Sequence, residues 1–241
     1  MLKTLNRFRV GLLATAFGFL AIGCGGGGSD PSLPDPRVYF VNCSPDAAAL
    51  NLRLDDDIKA VGDTFLTVAP KTTVLAGERD VVINENGNPF EHDAHTTKFD
   101  GNTDWVIAAI GKETFGTEYS KRIRTVAFKV NLSDPPSATK ARLVVLHAYQ
   151  RQAGFETPGV DFQSPGNNPL YSVTGLNFGD QKSIDVDPGL QDFQVRRTGT
   201  ENVLIEQSTT LSGGKVYLVV CGGIEGAVGG AAPIIKFIPL N

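Results

Sequence analysis

The sequence predicts an all-β chain of two tandem β-sandwiches, which follow a signal peptide and a flexible tether. Three observations predict this fold. From Arg37 onward, short runs rich in Val, Ile, Phe and Thr alternate with Gly, Pro, Asp and Asn clusters, without a long segment of 3.6-residue period. Each half of the chain holds about seven such runs in about 100 residues, the size of one β-sandwich. The two halves also match each other in sequence.

The first 23 residues have the layout of an export signal. Lys3, Arg7 and Arg9 precede an uncharged stretch of 13 residues, Val10 to Ile22. Spanning a bilayer takes about 20 apolar residues, and the glycines that follow cannot extend this run. We therefore expect the segment to be cleaved rather than kept as a transmembrane helix.

Cys24 ends the apolar stretch, and four glycines follow it. The segment Leu20 to Cys24 (LAIGC) resembles the lipobox of bacterial lipoproteins, with the usual Leu displaced by one position. The resemblance implies that Cys24 is the first mature residue and carries diacylglycerol and an acyl chain such as palmitate. Residues 24–36 are then a Gly/Pro tether. In such lipoproteins an Asp directly after the lipidated cysteine commonly retains the protein in the inner membrane, so Gly25 at this position implies the outer membrane. The alternative is a secreted protein with a chance cysteine.

Strand candidates follow one another through both halves and are separated by turn-forming residues. In the first half they are Arg37 to Cys43, Leu50 to Leu54, Thr64 to Val68, Thr72 to Leu75, Asp80 to Asn84, Asp104 to Ile110 and Thr125 to Leu132. In the second half they are Arg142 to Ala148, Val160 to Phe162, Lys182 to Val186, Asp192 to Arg196, Asn202 to Ser208, Lys215 to Cys221 and Pro233 to Ile238. Residues 37–132 and 141–241 are the two predicted sandwiches.

The two halves align at two offsets. RVYFVNC, from residue 37, faces RLVVLHA, from residue 142, whereas VLAGERDVVI, from residue 74, faces VDPGLQDFQV, from residue 186. One insertion of about seven residues near positions 150–159 accounts for the change from 105 to 112. The alignment pairs Gly77 with Gly189, where we expect a turn with positive φ. The linker, residues 133–140, contains Pro135 and Pro136, so we predict that the two copies form one rigid unit.

The stretch CSPDAAALNLRL, from Cys43 to Leu54, together with LAGERDVVI and the lipobox, resembles the domain of unknown function 4397 family of bacterial envelope lipoproteins. That family is often tandem and begins with a strand that ends in His-Ala-Ser-Pro-Asp-Ala. Here the first copy keeps Ser44 to Ala47, and the second keeps His147 and Ala148. The resemblance covers residues 37–241 and implies immunoglobulin-like or transthyretin-like sandwiches in the cell envelope. It implies no activity.

Charge excludes some partners. Loss of the signal removes three of 22 basic residues and leaves 19 against 26 acidic ones, a net charge of about −7 with His neutral. A chain of this charge, without a basic stripe interleaved with aromatic residues, is not expected to bind nucleic acid. The expected membrane contact is the lipid on Cys24.

The segment EHDAH, residues 91–95, is the best candidate for a metal site. Imidazole and carboxylate groups suit Zn²⁺, Cu²⁺ or Ni²⁺, so His92, Asp93 and His95 are the candidate ligands in an expected polar loop. The alternative is a solvated loop without an ion. Apart from the lipid on Cys24, no cofactor is expected.

Several other polar features have simpler interpretations. The run Asp55 to Asp57 is expected to be a turn, because the spacing of an EF-hand does not follow it. Residues 222–230 (GGIEGAVGG) are expected to be a connection without phosphate-binding chemistry. His147 is expected to be a structural, hydrogen-bonded histidine. Cys43 and Cys221 lie in different copies and are expected to be two buried thiols rather than a disulfide.

No nucleophile-and-base motif is present, so no catalytic residue is assigned and the chain is not expected to be an enzyme. The leading hypothesis is a lipid-anchored envelope protein that acts as a binding or structural module, with a polysaccharide or a protein as its partner. The rival hypothesis is an envelope hydrolase, directed at glycans through paired carboxylates or assisted by a metal at residues 91–95. A cleft that gathers carboxylates would favour the rival.

Overall fold

The computed structural model describes residues 33–113, 122–151 and 157–241. Within these ranges the chain contains strands, turns and short 3₁₀ segments such as Gly229–Ala231, and it has no α-helix. Accordingly, these ranges hold no helix of the length and apolarity that a membrane crossing needs. The chain is an all-β protein of two repeated sandwiches, as its sequence predicts. The predicted signal peptide and most of the predicted tether lie outside the described residues.

The first copy consists of two four-stranded sheets. Its strands are β1 (Arg37–Asn42), β2 (Leu50–Leu54), β3 (Asp57–Asp63), β4 (Thr72–Thr73), β5 (Gly77–Glu85), β6 (Glu91–Phe99), β7 (Asp104–Ile110) and β8 (Arg124–Val130). One sheet has the strand order β3-β2-β5-β6, and the other has the order β4-β1-β7-β8. Only β1 and β7 run parallel; the other neighbours in these two sheets are antiparallel.

The second copy repeats this topology. Its strands are β9 (Ala141–His147), β10 (Val160–Gln163), β11 (Ser172–Leu176), β12 (Gln181–Val186), β13 (Gly189–Arg197), β14 (Val203–Leu211), β15 (Val216–Gly222) and β16 (Ile234–Pro239). The sheets are ordered β11-β10-β13-β14 and β12-β9-β15-β16, and β9 runs parallel to β15. Strand for strand, the two copies have the same order.

The four sheets stack face to face with three apolar layers between them. One layer fills the first sandwich and includes Phe40 and Phe99, and another fills the second and includes Phe162 and Phe193. The third layer combines side chains from both copies, such as Ile110 and Leu146. It joins the sheet of β1 and β7 to the sheet of β9 and β15. The copies therefore share a buried core.

This stacking explains the continuous apolar runs of the sequence. β7 and β15 are buried at every position, and β1 and β9 at nearly every position, because apolar layers cover both of their faces. Parallel strands that are covered on both sides have this near-continuous apolar character. Strands in the outer sheets, such as β6 and β14, alternate between buried and exposed positions instead.

Polar contacts reinforce the seam between the copies. The hydroxyl of Tyr39 donates to the carbonyl oxygen of Leu240 at 2.6 Å, and the side-chain amide of Gln150 donates to the carbonyl oxygen of Gly111 at 2.7 Å. The linker also lies against the second copy, because Gly214 N–H donates to the carbonyl oxygen of Ser137. The shared apolar layer and these bonds join the two copies, and that they move as one rigid unit stays a prediction.

The structure corrects several details of the predicted elements. Within the described residues each copy has eight strands rather than about seven, because residues 57–63, 91–99 and 172–176 also form strands. Residues 64–68 form no strand and contribute an isolated bridge from Val68 to Val41. Residues 91–95, expected in a polar loop, are the start of β6.

The repeat also has more than one length change. Leu50 and Val160 hold equivalent places, opposite Glu85 and Arg197 in their ladders, and they are 110 residues apart. The expected single change of seven residues is therefore divided, with five residues added before β10 and the others after it. Gly77 and Gly189 both have positive φ, 111° and 100°, as the alignment predicts.

Candidate functional site

The hairpin between β5 and β6 forms one wall of a pocket at the end of the first sandwich. The side chain of Asn84 donates to the carbonyl oxygen of Asn88 at 2.8 Å. Asn88 in turn donates to the Glu85 carboxylate at 3.1 Å and accepts from Phe90 N–H at 3.0 Å. These bonds hold the turn closed, and they fix Glu85 and Phe90 on the same wall.

A β-bulge places His92 in this wall. Ile83 pairs with Asp93 and Asn84 pairs with Glu91, so His92 is the extra residue of β6. A bulge redirects the side chain of its extra residue. The His92 side chain is only 9% exposed, and its Nε2 lies 3.4 Å from a carboxylate oxygen of Glu85.

The segments after β7 and before β8 form the opposite wall. Gly111 has φ 108°, and a Cβ there would lie 2.0 Å from the carbonyl oxygen of Arg122, so the chain needs glycine to enter this wall. Lys112 is buried, and its Nζ donates to the carbonyl oxygen of Arg151 in the second copy at 2.5 Å. Glu113 follows directly.

The two walls enclose a cavity of about 240 Å³. It is lined by Glu85, Asn88, Phe90, His92, Lys112, Glu113, Arg122 and Ile123. Phe90 is 62% exposed and contacts His92 edge to face, with ring centroids 5.4 Å apart. The cavity therefore combines two carboxylates, cationic and imidazole groups, and one exposed aromatic ring.

The two carboxylates differ in their electrostatic surroundings. The hydrogen bond from Asn88, with further contributions from Glu113 and His92, lowers the pKa of Glu85. Burial, followed by the charge of Glu85 and a hydrogen bond shared with it, raises the pKa of Glu113. One carboxylate therefore ionises more readily than the other, as in sites that hold a proton between two acids.

A second polar cluster joins the two sheets of the first sandwich at their edges. The carboxylate of Asp93, on β6, accepts bonds from the N–H and the hydroxyl of Thr125, on β8, at 2.8 and 2.9 Å. The Thr125 hydroxyl also lies 3.1 Å from Nδ1 of His95. Burial raises the pKa of Asp93, but the hydrogen bonds from His95 and Thr125 outweigh it and lower the pKa to about 2. We name Asp93, His95 and Thr125 the edge lock.

The candidate metal ligands are thus divided between two surroundings. His92 faces Glu85 in the pocket, whereas Asp93 and His95 belong to the edge lock. Among the residues that the structure describes, no group of three or more His, Cys, Asp or Glu side chains is arranged to hold a metal ion. Metal binding by His92, Asp93 and His95 stays a prediction, which titration with the ion would test.

His147 has the structural surroundings that its sequence context predicts. It is fully buried at the end of β9, where Nδ1 accepts from Tyr149 N–H at 3.2 Å and Nε2 lies 2.9 Å from the carbonyl oxygen of Pro158. The tautomer with its proton on Nε2 satisfies both contacts. Burial lowers the pKa of His147 to about 4, despite the bond to Pro158.

The two remaining cysteines lie in different apolar layers. Cys43 belongs to the layer shared by the copies, and Cys221 belongs to the core of the second sandwich. Both are buried as free thiols. Burial raises the pKa of each thiol well above its ordinary value, so neither is a thiolate at neutral pH.

The other predicted features have simple outcomes. Asp55 and Asp56 form the turn between β2 and β3, with φ 54° at Asp55, whereas Asp57 already belongs to β3. Residues 223–233 connect β15 to β16, as expected for a glycine-rich connection. Cys24, the predicted lipid attachment site, lies outside the described residues.

The sequence reasoning did not identify most of the pocket. Glu85, Lys112, Glu113 and Arg122 are separated along the chain and meet only through the fold. One signal was present in the sequence, because Phe90 is a large apolar residue in the otherwise polar stretch NENGNPFEH. An aromatic residue in such a turn has no strand face to cover it.

Comparisons with known proteins find no family and only remote structural likenesses. No family model and no curated protein matches the chain. Among solved structures, the chain is similar to the TIE protein of Bacillus anthracis, with 9% identity, a TM-score of 0.26 and coverage of 80% of this chain but 34% of that one. The chain therefore spans about a third of the length of that protein.

Two further structures give similar values. One is a protein of Bacteroides ovatus described as a cell adhesion protein, with 11% identity, a TM-score of 0.25, and coverage of 86% of this chain and 96% of that one. The other is a streptococcal virulence factor described as binding α-glucan, with 12% identity, a TM-score of 0.25, and coverage of 79% and 94%. At these values neither likeness carries an argument about ligand or activity.

Proposed function

We propose that the protein is a lipid-anchored binding module of the bacterial cell envelope, and that the pocket between Glu85 and Glu113 is its binding site. The observation that carries the binding function is the buried Nε2 of His92, a side chain that lines the cavity: it lies 3.4 Å from a carboxylate oxygen of Glu85 but has no hydrogen bond of good geometry to a described residue. A buried polar atom left in this way is costly, and a bound partner would satisfy it. The shared core of the two copies gives the pocket a rigid support.

The anchor is the part of this proposal that rests on sequence. Cys24 follows a short apolar signal and precedes a glycine-rich segment, as in the lipoproteins that the chain resembles. Pro34 and Pro36 lie against the first sandwich: the carbonyl oxygen of Pro34 accepts from Asn102 N–H, and that of Pro36 accepts from Val74 N–H. A tether from Cys24 therefore has to reach only the position of Leu33. The resemblance to the domain of unknown function 4397 family is part of the same proposal.

The carboxylate geometry favours binding over glycan hydrolysis. Glycoside hydrolases hold their two carboxyl groups roughly 5 to 9.5 Å apart, so that a sugar and often a water molecule fit between them. Glu85 and Glu113 are close enough to share a hydrogen bond. The pair is therefore closer together than the carboxyl groups that flank a glycosidic bond in those enzymes.

The anchor is tested by mass spectrometry of the full chain after extraction from membranes with detergent. We expect a mature protein that begins at Cys24 and carries diacylglycerol and acyl mass. The matched control is Cys24→Ser, which is expected to leave the chain unacylated while the body folds. An unmodified Cys24, or cleavage at another site, would overturn the anchor.

Binding is tested by immobilising the extracted full chain and exposing it to envelope material from the same bacterium, with and without prior protease digestion. Captured material that survives digestion identifies a polysaccharide partner, and material lost on digestion identifies a protein. We expect His92→Leu to reduce capture. If the chain captures no envelope material, the proposed binding function is wrong. It is also wrong if the chain turns over glycan, peptide or ester substrates and His92→Leu abolishes that turnover.

A further inference from the structure

The pocket between Glu85 and Glu113 carries groups of both charge signs. Two carboxylates, Glu85 and Glu113, stand beside two cationic side chains, Lys112 and Arg122. A ligand with a net charge would meet a like charge in the same small cavity, which disfavours both anions and cations. The lining therefore favours a neutral ligand with several groups that can donate and accept hydrogen bonds.

Phe90 adds an apolar surface to this polar lining. Its ring is 62% exposed, and its recorded ring contact is the edge-to-face contact with His92. Single large apolar side chains with such exposure are common on protein surfaces, but this one lines a cavity that also contains the buried Nε2 of His92, which has no hydrogen bond of good geometry. The negative face of an aromatic ring attracts polarised C–H groups. The ligand should thus have one C–H face beside its polar edge.

We propose that the pocket binds one neutral pyranose ring of a glycan. A pyranose ring has C–H groups on its faces and hydroxyl groups around its edge, so it can stack on Phe90 while its hydroxyls reach Glu85 and Nε2 of His92. A hydroxyl both donates and accepts, and it can serve the carboxylate and the imidazole together. The cavity of about 240 Å³ is smaller than a pocket for a drug-sized molecule and suits a single ring. This inference names the ligand class of the proposed function and rests on it.

The second copy lacks Glu85, Phe90 and His92 at the equivalent positions, although Glu225 corresponds to Glu113. The ladders of β5 and β13 place Arg197 where the first copy has Glu85. The same bulge occurs in β14, where Leu204 is the extra residue in place of His92. Asn202 precedes β14 as Phe90 precedes β6. We therefore expect one sugar site per chain, not two.

The test is a titration of the detergent-extracted full chain with two tetrasaccharides, one of glucose and one of N-acetylglucosamine, followed by saturation-transfer NMR. The open-chain alcohol sorbitol is the matched probe, because it has hydroxyl groups but no ring face. We expect at least one tetrasaccharide to bind with one site per chain and sorbitol not to bind. The two sugars distinguish cell-wall amino sugars from neutral glucans as the source of the ring.

Two variants locate the site. Phe90→Asn and His92→Leu each install the residue of the second copy, and each should weaken sugar binding about tenfold, the effect of one lost stacking or hydrogen-bonding contact. Phe90→Tyr should retain binding, and Asn202→Ala is the matched control in the second copy. Because Phe90 is exposed, its replacement should leave the thermal unfolding curve unchanged, which separates loss of binding from loss of fold.

The failures of this inference and of the proposed function are distinguishable. If neither tetrasaccharide binds at millimolar concentration while the full chain still captures envelope material, the sugar assignment is overturned and the binding module stands. If a sugar binds equally well to Phe90→Asn and to the unaltered chain, the sugar lies elsewhere and the pocket assignment is overturned. Equal binding of sorbitol would also contradict stacking on Phe90.

Discussion

At one edge of the sandwich, the two copies have different side chains at equivalent positions: a polar pair in the first copy and an apolar pair in the second. In the first copy, Asp93 on β6 accepts two hydrogen bonds from Thr125 on β8. In the second copy, the equivalent strands β14 and β16 place Ile205 and Ile235 in the apolar core instead. The backbone order is nevertheless the same. The strand ladders therefore define the fold, whereas side chains at its edge are free to become polar.

The same difference extends to the neighbouring pocket. The bulge that places His92 in the first copy places Leu204 in the second, where it packs against the core. The residue at the shared bulge therefore packs against the core in the second copy, whereas in the first copy it lines a cavity. The comparison indicates that the second copy preserves the scaffold while the first carries the polar chemistry. The experiments below test how far this equivalence extends.

The largest effect is expected where both copies need the same glycine. A Cβ at Gly111 would lie 2.0 Å from the carbonyl oxygen of Arg122, and a Cβ at Gly223 would lie 2.3 Å from that of Ala232. Both glycines also have positive φ. Gly111→Ala and Gly223→Ala should each reduce the free energy of unfolding by more than about 4 kcal/mol in urea denaturation.

Gly189→Ala is the matched control for these two variants. Gly189 has φ 100°, but a Cβ there would have no heavy atom within 4 Å. Only backbone strain remains, so we expect a loss of about 1 kcal/mol. If Gly111→Ala costs no more than Gly189→Ala, the close approach is not a requirement that the copies share.

The next effect concerns the layer between the copies. Leu146 is fully buried in this layer, whereas Leu143, on the same strand, is fully buried in the core of the second sandwich. Each Leu→Ala change should reduce the free energy of unfolding by about 3 kcal/mol, because each leaves a cavity in a packed core. Calorimetry should show one transition for both variants. Two separate transitions, or an unaffected Leu146→Ala, would mean that the copies are stable independently.

The sequence specified the topology better than it specified the site. Continuous apolar runs such as residues 104–110 and 216–222 predict buried strands, and their repetition predicts the two copies. Three strands were not predicted, and two of them, residues 57–63 and 172–176, are edge strands with several exposed residues, so their apolar pattern is weak. The third is β6, which begins with the EHDAH segment. The EHDAH segment is polar for another reason. It is a strand at a sheet edge whose inward side chains bond to a neighbouring strand rather than to apolar groups.

The pocket lay beyond sequence reasoning because its walls come from distant segments. Glu85 and Glu113 are 28 positions apart in the sequence, and only the packing of two hairpins brings their carboxylates into contact. His92, Asp93 and His95 were predicted to bind one metal ion because they are close in sequence. In the structure His92 is the extra residue of a bulge, so its side chain lies in the pocket, apart from those of Asp93 and His95. Local irregularities of this kind depend on ladder register, which the spacing of residue types does not encode.

A smaller effect is expected at the edge lock. Asp93→Ala leaves the N–H of Thr125 without its acceptor and should reduce the free energy of unfolding by about 2 kcal/mol. The double variant Asp93→Ile with Thr125→Ile copies the second sandwich and should recover most of this loss. If the double variant is less stable than Asp93→Ala, the edge positions of the two copies are not interchangeable.

The edge lock should also respond to acid. Its hydrogen bonds lower the pKa of Asp93 to about 2 in the folded state, below the ordinary value of the unfolded chain. The stability that Asp93 contributes is therefore present above pH 4 and is lost as the pH falls toward 2. The double Ile variant should not show this loss, whereas the unaltered chain should. Thermal unfolding measured between pH 5 and pH 2 compares them.

The smallest effect at neutral pH is expected at His147, which occupies the position in the second copy that Asn42 occupies in the first. Asn42 and His147 hold equivalent ends of parallel ladders, opposite Ala109 and Cys221. The Asn42 side chain accepts from Ser44 N–H at 2.9 Å, as Nδ1 of His147 accepts from the N–H two residues later. His147→Asn should keep that bond but fail to reach the carbonyl oxygen of Pro158. We expect a loss of about 1 kcal/mol at pH 7.

The same variant tests the electrostatic difference between the copies, because asparagine does not titrate. Burial lowers the pKa of His147 to about 4 in the folded state, so below the ordinary pKa near 6.5 the unfolded chain binds a proton that the folded chain resists. Stability should therefore fall as the pH decreases from 7, by about 2 kcal/mol at pH 5. His147→Asn should lack this part of the pH dependence, so that its stability approaches or exceeds that of the unaltered chain at pH 5. If stability falls equally in the two proteins between pH 7 and pH 5, burial does not lower the pKa of His147. The buried His147 and its counterpart Asn42 would then have the same effect on the pH dependence of stability.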